Sequence, residues 1–302
     1  MTLGASGLAL AAGSGYLIGK AKEPITISNS DESAPPPISG DMLFQFIAVG
    51  DVGTGRKGQN AVAEAMYKHW EKSPFSLSLL LGDNIYSGGK IERIGEVFEQ
   101  PYSALLENGV NFRAAIGNHD LESNEGEDQI AYPGYNMDGR YYTFTEQSVQ
   151  FFALDTNQVN RDGDDEEKRW NEQLAWLREE LAKSSAQWKV VFGHHPVYSS
   201  GYHGVHPDLV KELSPILDEY DVQLYINGHD HNYERTQPIN GTTYITSGNG
   251  AMKRDIGRAA WTELSSKQLG FTAFEVHPDR LVIKAINADN TVYDEAHIGL
   301  EN

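Results

Sequence analysis

The tetrapeptide Gly228-His229-Asp230-His231 sets two imidazoles two residues apart. On an extended segment both fall on the same side, where they can grip neighbouring cations. Four further motifs carry side chains of the same chemistry: Gly50-Asp51-Val52-Gly53, Gly82-Asp83-Asn84-Ile85-Tyr86, Gly117-Asn118-His119-Asp120 and Gly193-His194-His195-Pro196. Each puts a glycine directly before Asp, Asn or His, and a backbone without Cβ turns sharply there and permits close approach. Taken singly, every motif has an ordinary reading: Asp51 as a turn residue, Asp83 as a helix cap, Tyr86 as a core tyrosine, His194 and His195 as loop histidines. Their joint occurrence points instead to one metal site of oxygen and nitrogen donors, a set suited to iron, manganese or zinc. The five motifs offer Asp, Asp with Tyr, Asn with His, His, and His with His, and seven or so ligands are more than one tetrahedral ion takes. Two ions about 3.5–4 Å apart with a bridging carboxylate account for the number.

The elements that must hold these groups are short apolar runs ending at the motifs. Residues 44–49, 77–81, 112–116, 189–192 and 222–226 read as buried strands. Between them lie helical patterns at 60–70, 91–106, 170–183 (Leu174, Leu177 and Leu181 in phase) and 207–219. Strands alternating with helices give an α/β (α+β) protein, and ligands of such sheets gather outside the carboxyl ends of the strands. Five strand ends are therefore expected to converge on one cleft. Later strand-like stretches at 242–246, 271–277, 281–286 and 292–298 imply a second sheet. The expected architecture is two mixed β-sheets packed face to face and flanked by helices.

In this order the five motifs resemble the signature of the calcineurin-like metallophosphoesterase superfamily, and within it the small, tartrate-resistant type of purple acid phosphatase, over residues 44–297. Tyr86 stands where that type places a phenolate ligand to ferric iron. Leu154-Asp155-Thr156-Asn157, the helix around Trp176-Leu177, Ser247-Gly248-Asn249-Gly250 and Gly270-Phe271 are also similar to the family. The resemblance implies the family's four-layer sandwich and a binuclear centre. Its Fe(III) would be held by Asp51, Asp83, Tyr86 and His231. Its Fe(II), Zn(II) or Mn(II) would be held by Asp83, Asn118, His194 and His229, with Asp83 bridging. The implied activity is acid phosphatase hydrolysis of small-molecule phosphate monoesters by direct attack of a metal-bound hydroxide. By the same resemblance His119 stabilises the transition state and protonates the leaving group. His203, nine residues after His194, falls where the family has a second outer histidine, its alternative being a loop residue in solvent. Asp120 is expected to orient His119 or a ligand, and His195 and His206 to stay outside catalysis. The chain departs from the family in lacking the cysteines of a disulfide and in carrying Tyr202 where a glutamate often precedes the outer histidine.

Composition narrows the alternatives. The 302 residues include 24 Lys and Arg against 43 Asp and Glu, a net charge of −19 that argues against a nucleic-acid partner. The absence of cysteine removes thiolate nucleophiles and Cys-ligated metals. An acidic surface repels anionic substrates, so a phosphate substrate needs local positive charge, which bound metal supplies. A phosphodiesterase or nucleotide hydrolase on the same core would trade Tyr86 for a non-ligand and need a longer groove, and a non-catalytic binding protein would have lost ligands. Residues 1–19 are small and apolar with no charge before Lys20, similar to a twin-arginine signal whose arginines are missing. Export to the periplasm or outside is expected, with no stable membrane partner once the segment is removed; a retained anchor helix is the alternative. Residues 20–40, with Pro35 to Pro37, read as a linker, and 41–302 as a single catalytic domain. The acidic run 162–167 lacks the order of a calcium loop and suits the N-terminus of the helix around Trp170. Lys253 and Arg254 read as a solvated loop, with contact to substrate phosphate as the alternative.

Overall fold

All six residues of Phe44–Val49 (β1) are buried, as a strand covered on both faces requires. Side-chain alternation sends Phe46 and Ala48 into one apolar cluster and Ile47 and Val49 into another. Leu77–Leu81 (β2) repeats the division, with Leu79 and Leu81 in the first cluster and Leu80 in the second. The computed structural model describes residues 41–160 and 164–300; the apolar segment 1–19, the linker 20–40 and residues 162–163 of the acidic run lie outside them.

The remaining strands are Asn111–Ala115 (β3), Tyr142–Glu146 (β4), Val149–Ala153 (β5), Trp188–Phe192 (β6), Leu224–Asn227 (β7), Tyr233–Thr236 (β8), Thr243–Ser247 (β9), Thr262–Ser266 (β10), Gly270–Val276 (β11), Arg280–Asn287 (β12) and Val292–Gly299 (β13). The helices are Lys57–Lys72 (α1), Ser103–Glu107 (α2), Glu127–Ile130 (α3), Asp164–Lys183 (α4), Pro207–Glu212 (α5) and Ser214–Glu219 (α6). One sheet runs β13-β12-β11-β1-β2-β3 and the other β10-β8-β9-β7-β6-β5-β4. Both are mixed: β1, β2 and β3 are parallel, as are β5, β6, β7 and β9, and the flanking pairs are antiparallel. Between the sheets, Phe46 stacks on Phe274 at 4.6 Å and meets Phe151 edge-on at 5.0 Å. The outer face of the first sheet is covered by Val62 and Met66 of α1 and Leu105 of α2. Leu177 and Leu181 of α4, Leu209 of α5 and Leu217 of α6 cover the second. Helix, sheet, sheet and helix make the four layers of the expected sandwich.

Several elements differ from the sequence expectation. The late strands β11 to β13 extend the first sheet, and the second sheet is built mainly from β4 to β9, so the motif-bearing strands are shared between the two. The expected helix at 91–106 is broken into a 3-10 turn at Ile91–Arg93, a π turn at Gly95–Glu99 and α2. Pro101 has no N–H to continue the ladder. Pro215 likewise divides the expected helix 207–219 into α5 and α6. The hairpin of β4 and β5, and strands β8 and β10, were not anticipated.

His69 on α1 bonds Gln45 Oε1 at 2.9 Å and lies against Phe75 and Phe271. Burial holds its pKa down to about 4, against ~6.5 in an unfolded chain. The unfolded chain therefore takes the proton first. The stability involved is whole above about pH 6.5 and is lost as pH falls toward 4, by about 1–2 kcal/mol after allowance for partial exposure. Urea midpoints at about pH 7.5 and 5 should differ less in His69→Gln than in the parent; an unchanged difference would show that His69 is not responsible.

Candidate metal centre

The site forms where the two sheets meet at the carboxyl ends of their parallel strands. Asp51 follows β1, Asp83 and Tyr86 follow β2, and Asn118 follows β3, all in the first sheet. His194 follows β6, and His229 and His231 follow β7, in the second. Glycine makes the junction possible: a Cβ on Gly228 would lie 2.6 Å from Asp51 Oδ2, and one on Gly117 2.1 Å from the Asp83 nitrogen. The backbone stitches the sheets together where Gly50 N donates to Ser247 O at 2.8 Å and His229 N donates to Asp51 Oδ2 at 2.8 Å.

Two groups of donors result. In the first, Tyr86 Oη lies 2.9 Å from Asp51 Oδ1 and 3.2 Å from His231 Nε2, and Asp51 Oδ1 lies 3.4 Å from His231 Nε2. In the second, His194 Nε2 lies 3.1 Å from both Asn118 Oδ1 and His229 Nδ1. Asp83 stands between them: its Oδ1 is 3.5 Å from His194 Nε2, and one donor each from Asp51, Asp83 and His194 fit within 4.8 Å. Donors sharing one ion at ~2.0–2.2 Å lie ~3.0–3.5 Å apart, so each group has the spacing of a coordination shell. All seven ligand candidates are thus brought together. Asp51, Asp83 and His229 have φ of 60°, 53° and 68°, a left-handed conformation rare outside glycine. Its concentration on three of the seven residues is backbone strain held at a functional site.

Electrostatics also fit bound cations. Burial works against ionisation of Asp51, but hydrogen bonding to His231 and the nearby His194 hold its pKa below the ordinary value. Burial likewise opposes charge on His194, and Asp83 and Asp51 outweigh it and raise its pKa. The Tyr86 hydroxyl is pushed far above its usual value by burial and by Asp51 and Asp83. Without a cation Tyr86 is therefore a proton donor to Asp51, and only a bound positive charge makes it a phenolate. Two buried carboxylates, a phenol, a neutral amide and three imidazoles suit a pair of hard or borderline ions.

Around the ligands, His119 donates its backbone N–H to Asp83 Oδ1 at 3.0 Å, and its ring lies 4.9 Å from that of Tyr86. Its Nδ1 is held by Glu122 Oε1 at 2.6 Å, a partner the sequence reading missed although i,i+3 spacing could have suggested it. Asp120 does not touch the His119 ring. Its carboxylate accepts from the nitrogens of Asn84, Ile85 and Gly117 and from Gln129, tying two ligand loops together. Burial and the neighbouring Asp83 raise its pKa to about 6. His203 comes to the site, its ring centroid 4.0 Å from that of His229. Asp230, also missed, accepts from His203 N at 2.9 Å and from the Ser199 hydroxyl, so the residue between two ligands fixes the His203 loop. The His195 ring lies tilted against that of His229, 4.5 Å between centroids, with its Nδ1 on Thr156 Oγ1, and His206 caps α5 through Leu209 N. A cavity of about 400 Å³ opens beside the second group, lined by Asn118, His195, His203, His206 and His229. Among the described residues, no helix is long and apolar enough to cross a membrane.

Residues 44–233 match the family model described as calcineurin-like phosphoesterase. The chain is 34% identical over 250 residues to tartrate-resistant acid phosphatase type 5 of the pig (Sus scrofa), covering 72% of this chain and 71% of that protein. Among solved structures it is similar to GAP50, the anchor in the inner membrane complex of Plasmodium. That match has 25% identity and a TM-score of 0.75 over 87% of this chain and 90% of the other. A purple acid phosphatase from seeds of yellow lupin (Lupinus luteus) shares the fold, with TM-score 0.73 and 19% identity over 85% of this chain and 53% of that one.

Proposed function

The chain belongs to the calcineurin-like phosphoesterases and, by its 32% identity over 242 residues to purple acid phosphatase 7 of Arabidopsis thaliana, to the purple acid phosphatases within them, and as such is a dimetal hydrolase of phosphoric ester bonds; from that premise we propose that it hydrolyses phosphate monoesters of small molecules at a mixed-valent or heterometallic centre. The observation that carries this reading is Tyr86 Oη, 2.9 Å from Asp51 Oδ1 and 3.2 Å from His231 Nε2, a spacing that supports its reading as a donor of the first cation site. Asp51, Asp83, Tyr86 and His231 would hold Fe(III), and Asp83, Asn118, His194 and His229 would hold Fe(II), Zn(II) or Mn(II). Such a pair, held by these residues, would supply Lewis-acid polarisation of the phosphate oxygens and a water of lowered pKa as nucleophile. His119 is fixed through Nδ1 by Glu122, leaving Nε2 as the ring nitrogen that serves the leaving oxygen. His203, set by Asp230, presents a second imidazole to the same phosphoryl group. The apolar segment 1–19 supports an exported enzyme.

The test combines colour, metal and substrate. Purified oxidised protein containing iron is expected to show a visible charge-transfer band that Tyr86→Phe abolishes, and to hydrolyse p-nitrophenyl phosphate in preference to bis(p-nitrophenyl) phosphate. A colourless protein loaded with manganese or zinc and preferring the diester would overturn the reading in favour of a phosphodiesterase.

A further inference from the structure

Arg254 is anchored to the ligand loop by its backbone N–H, which donates to His231 O at 2.9 Å. Its Nη1 bonds His203 Nε2, and its Cζ sits 4.9 Å from the centre of the Tyr202 ring. Among the described residues no carboxylate pairs with this guanidinium. The acidic groups nearby are engaged elsewhere: Asp255 with Lys267, Asp230 with Ser199 and His203 N, Glu234 with Ser200 N and Thr262. In a chain of net charge −19, a half-buried arginine with only neutral partners, one imidazole away from the ligand His229, is a fixed positive charge at the rim of the centre. One guanidinium N–H goes to His203, and the fork retains donors matched to a carboxylate or phosphoryl group. The supporting loop packs closely on the Asp230 side chain: a Cβ on Gly201 would lie 2.8 Å from Asp230 Oδ2. Tyr202, 73% exposed, covers the guanidinium with an aromatic face instead of neutralising it.

We propose that Arg254, backed by Tyr202, is a specificity-determining residue that binds a second oxyanion carried by the leaving group, so that the preferred substrates are phosphomonoesters bearing another phosphoryl or carboxylate group close to the scissile phosphate. This rests on the phosphomonoesterase reading above. Binding is measured by titration calorimetry on the metal-loaded protein with methylphosphonate, which has one oxyanion, and with methylenediphosphonate and phosphonoacetate, which add a phosphoryl and a carboxylate group respectively. The parent protein is expected to prefer at least one two-anion probe by about tenfold, the scale of one charge-assisted hydrogen bond. The probe preferred tells which anion is read. Arg254→Ala should bring that ratio to about one, Arg254→Lys should retain part of it, and Tyr202→Ala, at an exposed position, should lower it a few-fold. An unchanged ratio in Arg254→Ala, or an equal loss for methylphosphonate, overturns the proposal. A parent that binds methylphosphonate without preferring either longer probe overturns the role of Arg254 alone. One that binds no oxyanion overturns the phosphomonoesterase reading as well.

Discussion

Asp83→Ala is expected to lower kcat/KM for p-nitrophenyl phosphate by about 10³-fold or more and to cost the protein bound metal. Asp83 is placed between the two donor groups, 3.5 Å from His194 Nε2 through Oδ1, and the same oxygen accepts the backbone N–H of His119. Its removal would take a donor from both candidate cation sites and free the segment carrying His119. Its backbone oxygen also accepts from Gly53, so the loops after β1 and β2 share this residue. Asp83→Asn is the companion variant: asparagine tolerates the observed φ of 53° and keeps one side-chain oxygen, so the fold and part of the metal should survive. Elemental analysis and kinetics on both variants check the expectation. An alanine variant that keeps two metals per chain and activity within tenfold would show that Asp83 is not shared.

The second large effect concerns His119. If its imidazole delivers a proton to the departing oxygen, His119→Ala should cost about 10²–10³-fold with a basic leaving group such as that of glycerol 2-phosphate. With p-nitrophenyl phosphate, whose phenolate leaves unaided, the loss should be roughly tenfold or less. Glu122→Gln keeps the ring and weakens only its support at Nδ1, now 2.6 Å away, so its losses should follow the same leaving-group order on a smaller scale. Equal losses for both substrates would assign His119 to phosphate binding instead of proton transfer.

The parts of this protein that could be read from the chain are those written in local chemistry. Strands β1 and β2 coincide with the expected runs because each is mainly apolar, with Gln45 and Ser78 the polar exceptions, and stops at glycine. The β4–β5 hairpin escaped notice because its turn passes through Gln147 at φ 54°, a position with neither the glycine nor the asparagine that marks such turns. Which sheet a strand joins is decided by partners far along the chain, as when Phe44 of β1 pairs with Val276 of β11. The ligand candidates were legible because strand ends and ligand types coincide. Glu122 and Asp230 were not, since their roles exist only once neighbouring loops are in place. Asp230 lies between the ligand candidates His229 and His231, and its side chain is spent on a loop that begins at Ser199.

The junction between the sheets has a consequence for how the protein comes to be. Asp51 and His229 are 178 positions apart, and their contact unites the ends of strands in different sheets. Neither half of the chain contains either donor group whole: His231 completes the first and Asn118 the second. Closing so long a loop is a late event in folding. Neither donor group is complete until that loop closes, and interactions absent from the transition state act mainly on the unfolding rate. A metal pair bound there would act as a latch on the folded molecule, lengthening the life of the native state more than it shortens the time needed to reach it.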